Sequence, residues 1–246
     1  MNFFFHVGRY FSFLARVFSK PERLKVFFRK TFQEIGNLGV NSVGLVIIMS
    51  IFMGAIITLQ MAYNLTSPFL PVFLIGLGNR ELLILEFSST ILSLLLAGKI
   101  GSNITSEIGS MRVTEQIDSL EIMGINSAEY LIFPKIIAVI FIFPFLYILS
   151  VFFGLVGGLV IGTSFGAISP TDYINGLQHA FTPYYISFSI IKMLFYAFLI
   201  STIPSYYGYY VKGGAFDVGK ASMSAVVNTD IMILIFDLIL TQLLFK

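Results

Sequence analysis

Acidic side chains that could pair with cations or bind a partner protein are concentrated in one short polar stretch. The stretch, residues 97–138, begins inside one long apolar run and ends inside another. It holds five of the thirteen acidic residues of the chain, which are Glu107, Glu115, Asp118, Glu121 and Glu129. A polar connector between two apolar runs is a place for contact or coupling, so this segment is the first candidate for a functional site.

The sequence lacks the side chains of several catalytic classes. With no cysteine and only two histidines, a thiol enzyme and a zinc hydrolase are excluded, and no metal site is expected. The glycine-rich piece at residues 212–215 does not have the spacing of a phosphate-binding loop. We therefore expect no cofactor and no nucleic-acid partner, and any nucleotide must bind to another polypeptide.

The connector contains a helical pattern. Val113, Ile117 and Leu120 recur at helical spacing, with acidic residues three apart on a neighbouring face. This pattern predicts a short amphipathic helix over residues 112–123, with the Thr114 hydroxyl as a possible N-terminal cap. The alternative is a solvated loop helix whose acids only maintain solubility.

The composition places the chain in a membrane. Hydrophobic residues make up 57% of it and charged residues only 11%, too few to cover the surface of a soluble domain. A helix needs about twenty mostly apolar residues to cross the hydrocarbon core. The predicted fold is all-α, with five spans near residues 40–63, 82–106, 131–161, 184–211 and 226–245.

Residues 1–35 differ from the remainder, residues 36–246, and form a separate N-terminal segment. They carry seven of the fifteen basic residues and no apolar run long enough to cross. Phe4, Phe11, Leu14 and Phe18 can share one helix face, which is typical of a helix lying in the headgroup plane. Lys20-Pro21-Glu22 should separate it from a second basic amphipathic piece at residues 23–35.

The distribution of basic residues predicts the orientation. They are concentrated in the N-terminal segment, around the connector and in the loop after the fourth span. The positive-inside rule therefore places the N-terminus, the connector and that loop in the cytoplasm. On the outer side, residues 69–77 are too short to cross and are expected to form a lip or re-entrant turn, whereas Gly157, Gly158 and Gly162 indicate close helix packing.

The connector resembles the signature region of the MlaE-type permeases, the membrane subunits of bacterial ABC transporters that move phospholipids. The family pattern AGR-x-G-x5-E-x-G-x-M-x2-T-E-Q-x6-M matches without gaps, with Lys99 in place of the usual arginine. Residues 39–60 are similar to the first span of the family and residues 236–245 to its last. The resemblance covers nearly the whole chain after about residue 35.

The resemblance implies a permease without its own ATPase site, in the bacterial inner membrane. Implied partners are a second copy of the chain, a cytoplasmic ABC ATPase that binds ATP, a periplasmic MCE-domain protein and phospholipid. Residues implied to line a lipid cavity are Ile56, Leu59, Gln60, Tyr63 and Glu107. Residues implied to couple to the ATPase are Arg112, Thr114, Glu115, Gln116, Asp118 and Glu121.

Other interpretations of the intramembrane acids stay open at this point. Glu107 could instead pair near its helix end. Glu86 matches a glutamate in the family's R-E-x-G-P element, but the flanking arginine, glycine and proline are absent, so its role is not carried over. A proton-coupled carrier or a lipid-modifying membrane enzyme are the alternative functions, although no inverted repeat or catalytic motif supports them.

Overall fold

The computed structural model of this protein describes residues 2–19, 24–65 and 70–244. In that part of the chain every regular element is helical. The predicted break at Lys20-Pro21-Glu22 lies outside the described residues, as does Phe69 at the start of the expected outer lip. The side chain of Phe4 is likewise not described.

Eleven α-helices form the described part of the chain. Their bounds are α1 Asn2–Val17, α2 Leu24–Glu34, α3 Asn41–Asn64, α4 Leu74–Leu82, α5 Leu92–Leu96, α6 Ser102–Val113, α7 Gln116–Ile122, α8 Ser127–Ser164, α9 Pro170–Gln178, α10 Tyr184–Tyr209 and α11 Ala215–Leu244. Three π-helical segments, Ile35–Val40, Leu83–Ile91 and Ala97–Gly101, join consecutive helices without breaking the run.

Five helical runs within the described residues are long and apolar enough to cross a membrane: Leu24–Asn64, Leu74–Val113, Ser127–Ser164, Tyr184–Tyr209 and Ala215–Leu243. The predicted all-α membrane fold with an N-terminal helix and five spans is confirmed. The first run also includes the second basic piece, so residues 24–34 continue directly into the first span.

The prediction of a lip or re-entrant turn at residues 69–77 is wrong for the described part of that range, residues 70–77. Helix α4 begins at Leu74 and continues into the second span. The reason is a local partner, α9. A Cβ atom at Gly76 would overlap the carbonyl oxygen of Tyr173, so the two helices approach closely. Arg80 then donates to the carbonyl oxygens of Leu177 at 2.6 Å and His179 at 2.9 Å.

The chain forms two compact units, the first from residues 1–41, 94–143 and 195–239. Within it, α1 packs through Phe13 and Val17, both fully buried. The Phe13 ring contacts the rings of Tyr206, Tyr209 and Tyr210, with centroids 5.4–5.8 Å apart. An aromatic cluster of this kind holds an amphipathic helix in place through apolar burial.

Another side of α1 is more exposed, with Phe11 64% exposed. Phe18, directly after the helix, is 47% exposed and its ring also contacts the rings of Phe133 and Phe198. These residues belong to the face predicted to enter the headgroup region. The helix is confirmed, and its position in the membrane plane stays a prediction.

The second unit comprises residues 42–93, 144–194 and 240–246. A buried chain of hydroxyls connects three helical segments, with Ser50 donating to Ser150 at 2.8 Å and Ser150 to Ser88 at 2.9 Å. A Cβ atom at Gly157 would overlap the backbone of Ile51. The close packing predicted for this glycine-rich part of the third span is confirmed, since small residues let apolar helices approach.

Candidate functional site

The connector folds as a corner between two helices and does not form the single helix predicted over residues 112–123. Span helix α6 continues to Val113, Glu115 adopts the left-handed conformation with φ of 60°, and α7 begins at Gln116. The prediction of Thr114 as an N-terminal cap is also wrong. Its hydroxyl donates to the carbonyl oxygen of Ser110 at 2.8 Å and so closes the preceding helix.

Two side-chain contacts brace this corner. Arg112 donates to the carboxylate of Asp118 at 2.6 Å, which joins the last turn of α6 to the first turn of α7. Gln116 donates to the Thr114 hydroxyl at 3.0 Å. The ion pair is partly exposed, so it fixes the geometry of the corner more than it adds stability.

Glu121 ties α7 to two span helices. Its carboxylate accepts hydrogen bonds from the Tyr209 hydroxyl at 2.8 Å and from Ser127 at 2.9 Å. These hydrogen bonds hold the pKa of the Glu121 carboxyl below its usual value, and the bond from Tyr209 has the largest effect. The positive charges of Arg112 and Arg16 lower the pKa further. The ionised carboxylate therefore links α7 to the end of α10 and the start of α8.

The exposed surface formed by α7 and its two flanking residues differs from the buried face of the helix. Ile117 is fully buried, whereas Ile122 is 87% exposed and Met123 is 65% exposed. Glu115, Gln116 and Ser119 are also exposed. Sequence reasoning did not select these two apolar residues, because they do not belong to the helical stripe that contains Ile117. Their position directly after an acidic run was a signal that could have identified them.

Glu107 takes part in a three-member ion-pair cluster in the first unit. The ammonium of Lys135, 3% exposed, lies 2.6 Å from a Glu34 carboxylate oxygen and 2.8 Å from a Glu107 oxygen. The second oxygen of Glu34 is buried and has no hydrogen-bond partner among the described residues. This arrangement connects the first, second and third spans, and neither Glu34 nor Lys135 was among the predicted site residues.

The other predicted cavity residues lie on α3 in the second unit. Ile56 is 50% exposed, Tyr63 is 76% exposed and Gln60 is also exposed, which places all three on one open face of the helix. Leu59 is half-buried. The structure thus brings Ile56, Gln60 and Tyr63 together along one helix, whereas Glu107 belongs to the cluster described above.

A groove of about 410 Å³ lies beside Glu86 in the second unit. The ammonium of Lys192, fully buried, approaches Glu86 and Thr241 at 3.5 Å each. The Glu86 carboxylate offsets part of the free energy cost of burying the lysine side chain. The groove is lined by Met61, Gly78, Glu81, Leu82, Leu85, Glu86 and Thr241.

These elements define the class of protein as a multi-pass, all-α membrane protein whose charged residues connect helices to one another. In the part of the chain that the structure describes, no group of three or more His, Asp or Glu side chains could hold a metal ion. The polar residues instead form a braced corner outside the spans and ion pairs within them.

Comparison with known proteins gives the family. The family described as Permease MlaE matches residues 31–243. A probable ABC transporter permease protein of Rickettsia bellii is 32% identical over 240 residues, covering 98% of this chain and 92% of that protein. The chloroplastic protein TRIGALACTOSYLDIACYLGLYCEROL 1 of Arabidopsis thaliana is 31% identical over 229 residues, covering 90% and 63% of the two chains.

A third relative is the intermembrane phospholipid transport system permease protein MlaE of Haemophilus influenzae. It is 28% identical over 247 residues, covering 100% of this chain and 94% of that protein. The chain belongs to the MlaE permease family.

Proposed function

We propose that this protein is the permease subunit of an ABC transporter that moves phospholipids between the inner and outer membranes of a bacterium. Membership of a permease family and the name of the Haemophilus influenzae relative support this proposal. The observation that carries it is α7, a short helix outside the spans that is bonded to two of them and exposes Ile122 and Met123.

In this proposal α7 is the docking element for a separate cytoplasmic ATPase, which binds the ATP. Ile122 and Met123 supply the apolar contact, and Glu115 supplies an exposed carboxylate beside it. Apolar anchors within a polar rim are typical of protein interfaces. Arg112, Asp118 and Glu121 hold the corner rigid, so that displacement of α7 moves the start of α8 and the end of α10 with it.

The lipid path in this proposal uses apolar helix faces that the chain leaves uncovered. Ile48, Phe52 and Ile56 follow one another along α3 with 50–63% exposure. Met223, Val227, Ile231 and Leu238 do the same along α11, with 49–73% exposure. A second copy of the chain and the acyl chains of a phospholipid would cover such surfaces. Gln60 and Tyr63 supply polar groups beside the exposed face of α3, and Glu107 is the polar group proposed for the first unit.

The orientation and the outer partner belong to the same proposal. The N-terminus and α7 face the cytoplasm, where ATP is available, and the opposite span ends seat a periplasmic MCE-domain protein. The basic residues of the N-terminal segment support this sidedness through the positive-inside rule.

The test uses the permease copurified with its ATPase. Ile122→Ser with Met123→Ser should reduce the copurifying ATPase activity roughly tenfold or more, because two exposed anchors are lost. Glu115→Lys should weaken association as well. Phe165→Ser is the matched control, since Phe165 is 72% exposed but lies after α8 at the predicted outer end.

The result that would contradict the proposal is full ATPase association and lipid transfer in the double variant. Transport of lipid in vesicles by the purified chain alone would contradict it too, because the chain would then need no ATPase. Asp118→Lys gives a separate measure: it breaks the brace with Arg112 and should reduce lipid transfer more than ATPase binding.

A further inference from the structure

An open groove of about 840 Å³ lies between α1 and the turn after α10 in the first unit. Gly8, Arg9, Ser12 and Arg16 follow one another along one face of α1. Tyr210 and Lys212 line the opposite wall, and Phe5 lies at the rim. We call this feature the basic groove.

Arg9 is held in a defined position in the basic groove. The carbon at the centre of its guanidinium lies 3.7 Å from the centroid of the Tyr210 ring. The Tyr210 ring makes edge contacts with two other rings, and its centroid lies 5.8 Å from that of Phe13 and 5.1 Å from that of Tyr206. Stacking of this kind leaves the N–H groups at the edge of the guanidinium free to donate.

The charge of the basic groove is positive. Its lining contains three cations and no carboxylate. Arg16 lies near enough to Glu121 for the two charges to interact, so Arg9 and Lys212 supply most of the net positive charge. Among residues 2–19, 24–65 and 70–244, none of these three cations is ion-paired with a carboxylate. The groove therefore has cationic groups available to bind an anion.

The position of the groove on α1 indicates that the anion comes from a membrane lipid. Phe5 and Phe11 are each 64% exposed and Phe18 is 47% exposed. A helix that carries exposed aromatic residues beside arginines is built to lie at a membrane surface. The arginines of such a helix are then at the depth of the lipid phosphates.

From these contacts we infer that the basic groove binds the headgroup phosphate of an anionic phospholipid of the surrounding membrane, through Arg9 and Lys212. A free phosphate fits the groove less well, because the groove is wide and open and its rim carries the apolar ring of Phe5. The bound lipid anchors α1 and is not cargo, so the inference does not depend on the transport function proposed above.

The experiment measures lipid retention by the full-length protein in detergent, using native mass spectrometry. The probes are phosphatidylglycerol and, as the neutral-headgroup control, phosphatidylcholine. Each cation near a membrane surface contributes roughly fivefold to anionic-lipid binding. Arg9→Gln with Lys212→Gln should therefore weaken phosphatidylglycerol binding by on the order of twentyfold and leave phosphatidylcholine binding unchanged.

Lys25→Gln with Arg29→Gln is the matched control, because both residues are exposed cations on α2 outside the basic groove. This variant should bind phosphatidylglycerol as the unmodified protein does. Arg9→Lys keeps the charge but loses the planar stack on Tyr210, so it should bind less phosphatidylglycerol than the unmodified protein and more than Arg9→Gln. The Lys212→Gln single variant changes only an exposed residue and should weaken binding about fivefold.

Two outcomes would overturn the inference. Equal loss in the groove variant and the α2 control would mean that only the total charge of the protein matters. Displacement of phosphatidylglycerol by millimolar inorganic phosphate would assign the groove to a soluble anion instead of a lipid.

Discussion

Several ionisable side chains in the described spans contact a partner of opposite charge or a hydroxyl. Lys135 contacts Glu34 and Glu107, Lys192 contacts Glu86, and Asp237 accepts a hydrogen bond from Tyr196 at 2.7 Å. An unpaired charge away from water is costly, and such a partner lowers the free energy cost of burying the charge. These pairs explain why so apolar a sequence tolerates ionisable residues in its spans.

The Lys135 cluster gives a prediction at this scale. Lys135→Met should lower the free energy of unfolding by about 3 kcal/mol or more, because it leaves the Glu34 and Glu107 carboxylates facing each other without a cation. The measurement is thermal unfolding in detergent. Adding Glu34→Gln should recover part of the loss, since it removes one of the two like charges.

Lys25→Met is the control for this change, because Lys25 is exposed. A Lys135→Met protein as stable as the Lys25→Met protein would mean that the cluster contributes nothing to folding.

At the scale of elements, glycines determine how closely the helices of the second unit pack. A Cβ atom at Gly54 of α3 would overlap the carbonyl oxygen of Gly154 in α8, whereas one at Gly44 would meet no atom within 4 Å. Both glycines belong to the same helix. They therefore separate the effect of packing from the general effect of glycine in a helix.

Gly54→Ala should destabilise the protein by about 2 kcal/mol or more, because the two backbones must move apart. Gly44→Ala should be neutral or stabilise by up to about 1 kcal/mol, as alanine favours a helix interior. Unfolding midpoints of the two variants in one detergent test this difference. Equal midpoints would show that α3 and α8 can move apart at this contact without loss of stability.

At the scale of the whole molecule, the odd number of candidate spans in the described residues predicts that the segments before the first span and after the last lie on opposite sides of the membrane. The chain has no cysteine, so single cysteines can report sidedness without a background. Ser119 in the first unit and Thr171 in the second are both exposed and lie outside the spans.

Ser119→Cys should react with an impermeant thiol reagent only after the cytoplasmic side is opened, whereas Thr171→Cys should react in intact spheroplasts. Labelling of each variant before and after permeabilisation is the measurement. Reaction of both cysteines from the same side would rule out a five-span topology, and the reversed pattern would place α7 outside the cell.

Much of the fold could be predicted from the sequence because the bilayer imposes it. A run of about twenty apolar residues must become a helix to satisfy its backbone without water. The five spans, the N-terminal helix and the close approach at Gly157 all followed from such local signals. The family pattern from Ala97 to Met123 likewise located the segment that carries the corner.

Only the tertiary structure decided which residues of that segment form hydrogen bonds or ion pairs within the protein. Nothing local marks Tyr209 as the donor to Glu121, or Glu34 as the second partner of Lys135, because these pairs are 88 and 101 residues apart in the chain. The same holds for α4, which forms a helix because α9 packs against it. Composition and periodicity determine each helix, whereas its neighbours determine which of its side chains remain free to bind a partner.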